Sequence, residues 1–233
     1  ELMTAERNKR IVNNTLMLYL RQLLILFVSL YTVRIVLDQL GVEDYGIYST
    51  VAGLVALGAF LPGSLAQATQ RFFSFALGEK NEERLKKTFS VNLMLYGSVA
   101  LIAFVGLQTF GLWFVNAELS VPSDRFEAAK ALYHYATLTF VIGVITSPFM
   151  AIIMAHEDMK LYAYISIAEA IVKLAVVFFL QYIHWDKLEL YGLLLLCVGI
   201  VNAFIYTYLC VSRYDECQLQ KFYWDAALFR EII

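Results

Sequence analysis

Charge is scarce in this chain. Asp, Glu, Lys and Arg make up 16% of its 233 residues and hydrophobic residues 60%, against about 25% and 45–50% in a soluble domain. A water-soluble fold has no core large enough to hide that apolar surplus. An excess of either sign is missing too: 18 basic residues face 20 acidic ones, a formal net charge of -2, so there is no footprint for nucleic acid or another strongly charged partner. The three cysteines, Cys197, Cys210 and Cys217, form no CxxC pair and the first two sit inside an apolar run, which speaks against a disulfide framework or a zinc site. The three histidines, His134, His156 and His184, end three different apolar segments, too scattered for a metal cluster. Walker, HExxH and GxSxG motifs are lacking, as is a serine or cysteine nucleophile with a suitably spaced base. Nothing in the sequence points to catalysis, a metal or a bound cofactor.

What the chain has instead is long apolar runs. Six stretches reach the roughly 20 apolar residues that a helix needs to cross a hydrocarbon core of about 30 Å: residues 11–33, 45–67, 89–115, 132–155, 161–183 and 188–211. Short polar joints separate them, at 34–44, 69–88, 116–130, 156–160 and 184–187, none long enough for a soluble domain. Gly78 reads as a helix stop and Asn81 as a fresh start, followed by acids and then Arg84, Lys86 and Lys87, a short interfacial helix before the third span. The fold class is therefore all-α and polytopic, with residues 1–213 forming a six-helix membrane unit and 214–233 a polar linker. The first run is too long for the core of a cleavable signal peptide. Opening at Glu1 and stopping at Ile233 in mid-pattern, the chain reads as a fragment with two cut edges.

The basic residues divide unequally between the two sides. Arg7, Lys9, Arg10, Arg71, Lys80, Arg84, Lys86, Lys87, Lys160, Arg213, Lys221 and Arg230 fall on one side, and Arg34, Arg125, Lys130 and Lys187 on the other. Because Lys and Arg are retained in the cytoplasm, both termini are expected there. Tyrosines and tryptophans at the span ends, among them Tyr45, Tyr48, Trp113, Trp185 and Tyr191, fit an aromatic belt.

Polar groups inside the spans carry the functional signal. Arg21 lies well within the first span, at a cost of about 2.5–3.5 kcal/mol on insertion scales. Asn14 and Ser29 share its helix face, with Gln22 adjacent. In the fifth span Tyr162, Ser166, Glu169 and Lys173 follow at spacings of four, three and four, again one face. Two readings stay open: an internal Glu169–Lys173 ion pair turned toward neighbouring helices, or a stripe lining a hydrated cavity. In the second, Arg21 and Lys173 meet an anionic substrate and Glu169 takes up a proton. Pro62 and Pro148, each beside small residues, predict kinks in the second and fourth spans, suited either to a gate or to static packing. Gly53 and Ala56, and Gly192, Gly199 and Asn202 of the sixth span, would allow close helix approach or interhelical hydrogen bonds.

Two stretches, RIVLDQLGVEDYGIY from Arg34 to Tyr48 and ATQRFFSFALG from Ala68 to Gly78, resemble the opening of bacterial polysaccharide biosynthesis transporters, the Wzx-like O-antigen and capsule flippases. Tyr214–Cys217 and the motif from Trp224 to Glu231 look like the cytoplasmic linker to their seventh helix. The resemblance covers essentially the whole chain and implies one six-helix lobe of a MATE-like transporter fold in the bacterial inner membrane. It implies alternating access that carries a lipid diphosphate-linked oligosaccharide to the periplasmic leaflet, with a second six-helix lobe of the same parent protein as partner. Coupling to a proton or sodium gradient belongs to the same expectation. Arg21 is the cation such a substrate would need, whereas Arg34 and Arg71, at span ends, suit orientation or headgroup contact. The rivals are an ion-coupled drug or metabolite exporter of the same fold, which would more often show acidic and apolar cavity walls, and a membrane glycan polymerase or ligase, which would carry a large outer loop.

Overall fold

The computed structural model of the protein describes residues 2–58, 60–79, 81–117 and 121–217. Among these, every regular element is helical: α1 (Leu2–Leu57), α2 (Phe60–Gly78), α3 (Glu82–Gly106), α4 (Leu112–Ala117), α5 (Phe126–Ala155), α6 (Met159–Phe179) and α7 (Lys187–Arg213). A π-helical turn, Leu107–Gly111, joins α3 to α4, and a 3-10 turn, Leu180–Tyr182, extends α6. The segment 218–233, with the Trp224–Glu231 motif, lies outside the described residues.

Among the described residues, five helices are long and apolar enough to cross a membrane: Val12–Leu57, Glu82–Ala117, Phe126–Ala155, Met159–Tyr182 and Lys187–Arg213. Their outer faces carry bare hydrocarbon, as at Leu16 (64% exposed), Phe27 (66%), Ile102 (67%) and Phe204 (70%), a pattern stable against lipid and not against water. The molecule is a multi-pass α-helical membrane protein.

The first of these helices holds the first expected span and most of the second, whose remainder falls in α2 beyond the break near Gly58. Gly41 breaks α1 at φ 78, ψ 172, a backbone state open to glycine, and the chain reverses there. Before the break α1 follows α6: Asn14 Nδ2 reaches the Glu157 carbonyl (3.4 Å), Tyr31 meets Phe178, and Lys187 Nζ reaches Gln39 Oε1 (3.4 Å). After the break the chain descends along α5, with Asp44 beside Arg125, Val55 among Leu132 and Ala136, and Gly58 against Phe140. The described residues thus traverse the bundle six times.

Several expected boundaries shift. The joint 34–44 is helical except at Gly41, with Val36 and Leu40 buried in the core they share with Leu132, Leu180 and Leu188. The joint 69–88 loses its first half to α2, where Thr69 and Phe73 are fully buried. Helix ending and restart fall at Gly78 and Asn81 as the sequence suggests, with Asn81 Oδ1 accepting from the Arg84 N–H (3.0 Å) and Glu82 and Glu83 in the first turn. No separate interfacial helix results, since α3 runs on unbroken to Gly106. Pro62 falls in the first turn of α2, after a break in the helix near Gly58, so it sits where a missing N–H costs nothing and not at a mid-helix kink. Pro148 is buried inside α5, which stays helical through it.

Packing is organised around α5, whose apolar stretch is the most enclosed of the five. At its Arg125 end it shares a core of Val51, Leu132, Tyr133, Leu180 and Leu188, and at its His156 end a core of Phe73, Phe89, Phe149, Ile152 and Tyr206. The close approach expected on α7 is present: a Cβ on Gly192 would lie 2.8 Å from Leu132 Cδ1, and one on Gly199 3.3 Å from Thr139 Cγ2. Gly53 differs, with open space around it.

Two polar clusters hold elements that apolar contact in lipid cannot specify. Between α2 and α3, Thr69 Oγ1 donates to Asn92 Oδ1 (2.8 Å), Tyr96 lies at 3.3 Å, and Asn92 Nδ2 donates to the Thr88 carbonyl (2.8 Å), all of them buried. Asn92→Leu should lower stability by about 1 kcal/mol, near the upper part of the range for interhelical hydrogen bonds in membranes, and Thr69→Val in that background should add little. A melting series in detergent checks both, and fully additive losses would dissolve the proposed pairing.

At the other end Arg125 bridges the chain after the Gly41 reversal to the start of α7, pairing with Asp44 (Nε to Oδ1 2.8 Å) and with Asp186. Asp186 also caps α7, accepting from Leu188 and Glu189 N–H at 3.0 and 3.1 Å. Burial works against ionisation of Asp186, but the Glu189 and Leu188 N–H groups and the Arg125 guanidinium outweigh it and hold the carboxyl below its usual range. Its contribution is therefore full above the unfolded value of about 3.9 and is lost as pH falls through the depressed native value. Asp186→Asn should flatten the acid limb of a stability-versus-pH curve below about pH 4; an unchanged limb would remove Asp186 from that role.

Candidate functional site

A cavity of about 650 Å³ opens between α1, α6 and α7, with Thr139 and Met150 of α5 behind it. The α6 stripe read from the sequence faces it entire: Tyr162, Ser166, Glu169 and Lys173 all line it, as do Arg21 and Ser29 of α1. The opposing α7 wall is Tyr191, Leu195, Gly199, Asn202 and Tyr206, spaced by four, four, three and four, so two amphipathic faces converge on one space.

The two cations in this cavity are in different states. Lys173 Nζ lies 2.6 Å from Glu169 Oε1, and the other carboxylate oxygen accepts from Asn202 Nδ2 at 2.9 Å. Glu169 is thereby matched on both oxygens, and Lys173 is committed to it. The ion pair of the first reading is present, and it stands on the cavity wall with Lys173 exposed and Glu169 half-buried. Arg21 has no carboxylate within reach in the described structure. Its guanidinium carbon stands 4.6 Å above the Tyr162 ring, one terminal nitrogen makes a long 3.4 Å contact with Gln22, and Nε is buried with no partner. The stacking on Tyr162 contributes about 1–2 kcal/mol and leaves Nε without a hydrogen-bond partner.

Arg21 and Lys173 also lie at different depths. Arg21 sits at the level of Tyr162, and eleven residues of α6 separate Tyr162 from Lys173, a rise of about 16 Å. The two cations therefore occupy separate levels of the cavity wall, Lys173 paired with Glu169 and Arg21 stacked on Tyr162.

The remaining sequence candidates fall elsewhere. Asn14 does not line the cavity; it lies two helical turns below Arg21 and meets the α5–α6 turn at the Glu157 carbonyl. Gln22 is exposed beside the cavity wall and touches only the rim of the guanidinium. Pro148 does not border it, and the side chain of Pro62 lies outside what the structure describes. Conversely, Tyr45, Tyr48 and Tyr191, read as belt anchors, enclose the cavity at its Arg125 end, Tyr48 and Tyr191 packing edge to face at 5.0 Å. Asn202 makes the interhelical hydrogen bond that the sequence allowed for it, and its partner, Glu169, is what the sequence did not name; its place on the 191–206 stripe marks it as a cavity residue.

At the His156 end the α5–α6 turn is tied to the tail of α7. His156 stacks on Tyr214 (4.2 Å between ring centroids) and pairs with Glu216, while Arg213 donates to Asp158 at 2.9 Å. Burial pushes the Tyr214 phenol up to about 12. This end is closed by polar ties, and the cavity lies between it and the Arg125 cluster.

The chain matches no family model, no curated protein and no solved structure.

Proposed function

We propose that this chain is the cavity-bearing lobe of a flippase that moves a lipid diphosphate-linked oligosaccharide across the bacterial inner membrane for O-antigen or capsule synthesis. One observation carries the reading: a guanidinium at membrane depth, in a cavity of about 650 Å³, with its Nε buried and unpartnered. An arginine so placed is expensive and is kept where an anion is handled. Tyr45, Tyr48 and Tyr191 add aromatic faces at the opposite end of the same cavity, suited to the apolar sides of sugar rings.

In this reading the lobe crosses the membrane six times with the His156 end and both termini cytoplasmic, following the charge bias. A second six-helix lobe closes the open side of the cavity in the manner of a MATE-like transporter. Rocking of the lobes exposes Arg21 first to the cytoplasm and then to the periplasm, driven by a proton or sodium gradient. The same protein is then no enzyme, since the diphosphate bond survives passage.

Complementation tests this. The native gene product, expressed in a bacterium lacking its own oligosaccharide flippase, should restore surface polysaccharide, and purified protein in liposomes should carry a fluorescent diphosphate-linked lipid across the bilayer. Correct insertion with neither activity, together with export of a soluble drug or metabolite, would move the exporter reading ahead.

A further inference from the structure

A second hollow, about 420 Å³, lies on the other side of the α6–α7 wall. It is built from hydrocarbon, chiefly Ile165, Val172 and Val176 of α6 and Leu194, Val198 and Val201 of α7. It runs from the level of Tyr164 to that of Val176, twelve residues of α6, or about 18 Å. Its polar members are Glu169 and Asn202, and both also line the cationic cavity. The wall between cavity and groove at this height is therefore a side-chain pair joined by a 2.9 Å hydrogen bond. At its lower end the groove includes Tyr164 and Ile205, one turn or less from Tyr162 and Tyr206, the levels at which Arg21 sits.

We propose that this groove receives the hydrocarbon chain of the anionic lipid whose headgroup Arg21 binds. The inference rests on the cationic-cavity reading and names the part of the ligand that reading leaves open. The occupant is an amphiphile because the two hollows share a wall and have opposite chemistry, one with an unpaired guanidinium and the other with almost no polar surface. A bilayer lipid with no contact to Arg21 would satisfy the groove alone. A soluble anion would satisfy the cavity alone. Only a molecule with both parts uses the two, its headgroup at Arg21 and its chain entering the groove at the Tyr164–Ile205 end nearest that level, below the Glu169–Asn202 pair that forms the shared wall. A chain of about 18 Å fits the length of the groove, and longer chains continue into the bilayer.

Chain length is the test. The native gene product in nanodiscs is titrated with farnesyl diphosphate and with isopentenyl diphosphate, each corrected for empty nanodiscs. The wild type should bind the longer chain roughly tenfold or more tightly, since each methylene moved onto an apolar surface adds to affinity. Ala168→Trp and Val201→Trp, both at exposed positions in the groove, should erase that preference and leave isopentenyl diphosphate binding unchanged. A wild type that does not discriminate, or tryptophan variants that still do, overturns the groove and leaves the cationic cavity standing. Failure of the wild type to bind either diphosphate overturns the cavity reading and the groove with it. Should the tryptophan variants also weaken the short ligand, a photoreactive farnesyl diphosphate decides: adducts within residues 164–176 and 194–205 of the wild type support the groove. Adducts elsewhere, or equal labelling there by a tail-labelled phosphatidylcholine, overturn it.

Discussion

Arg21→Ala is expected to weaken diphosphate binding by roughly two orders of magnitude while the protein inserts and folds as before. Charge-assisted hydrogen bonds are worth about 1.5–3 kcal/mol each, and an arginine fork offers two to a diphosphate. The loss then amounts to about 3 kcal/mol, or a hundredfold. Arg21→Lys should keep part of the affinity, since the charge survives and the planar fork does not. The accompanying stability is the discriminating readout. Arg21 is a cation at membrane depth whose Nε has no partner, so relief of its burial should offset the lost Tyr162 stacking and leave the melting temperature little changed, as for residues whose placement serves function at the expense of stability. A variant that loses binding and melts lower in proportion would mark Arg21 as a structural residue.

Lys173→Ala should behave in the opposite way. The substitution leaves Glu169 with only the Asn202 amide and strips the ion pair from one side, and breaking a pair by removing one partner is the costly direction. Its defect is expected in stability first, with transport lost in step with folded protein. The two cations, equivalent by composition, are separated by what each already touches.

Much of this site was legible along single helices and little of it between them. The Tyr162–Ser166–Glu169–Lys173 stripe was readable because a 3.6-residue period fixes which side chains share a face whatever surrounds the helix, and all four do face the cavity. The same rule put Asn14 and Arg21 on one face, correctly as to azimuth. It says nothing of depth, and seven residues lower Asn14 has reached the α5–α6 turn. The pairing of Glu169 with Asn202 across α6 and α7 was beyond a single chain's periodicity, since it depends on register between helices. The joint 34–44 was misread for a different reason. Arg34, Asp38 and Gln39 look like a loop by polarity, but near the end of a membrane helix exposed polar side chains are compatible with a helical backbone, and the reversal needs one residue, Gly41. Membrane burial removes the contrast between polar joint and apolar element that soluble sequences offer. The break near Gly58 left its trace in Pro62, read as a mid-helix kink because a proline that opens a new helix and one that bends a continuing helix look alike along the sequence.

The largest stability effect is expected at Gly111, in the π-helical turn that ends the long α3 run. A Cβ built there would stand 2.0 Å from the Tyr133 hydroxyl and 3.0 Å from Cζ, distances no packed pair adopts. The hydroxyl cannot simply swing aside: Tyr133 is fully buried, and it donates to the Leu107 carbonyl at 2.5 Å, the first residue of the same turn. The π-turn, the glycine and the tyrosine thus form one unit, in which the widened turn presents a carbonyl and the missing side chain leaves room for the ring that binds it. Gly111→Ala should cost about 3 kcal/mol, at the upper end for overpacking, and Tyr133→Phe about 1 kcal/mol for the lost hydrogen bond. Because the hydroxyl is the atom in conflict, the two changes should not add. The double variant is expected to be more stable than Gly111→Ala alone, which a thermal series on the four proteins would show as a positive coupling. Strict additivity would mean that the turn and the ring respond independently, and that the π-turn is held by something other than Tyr133.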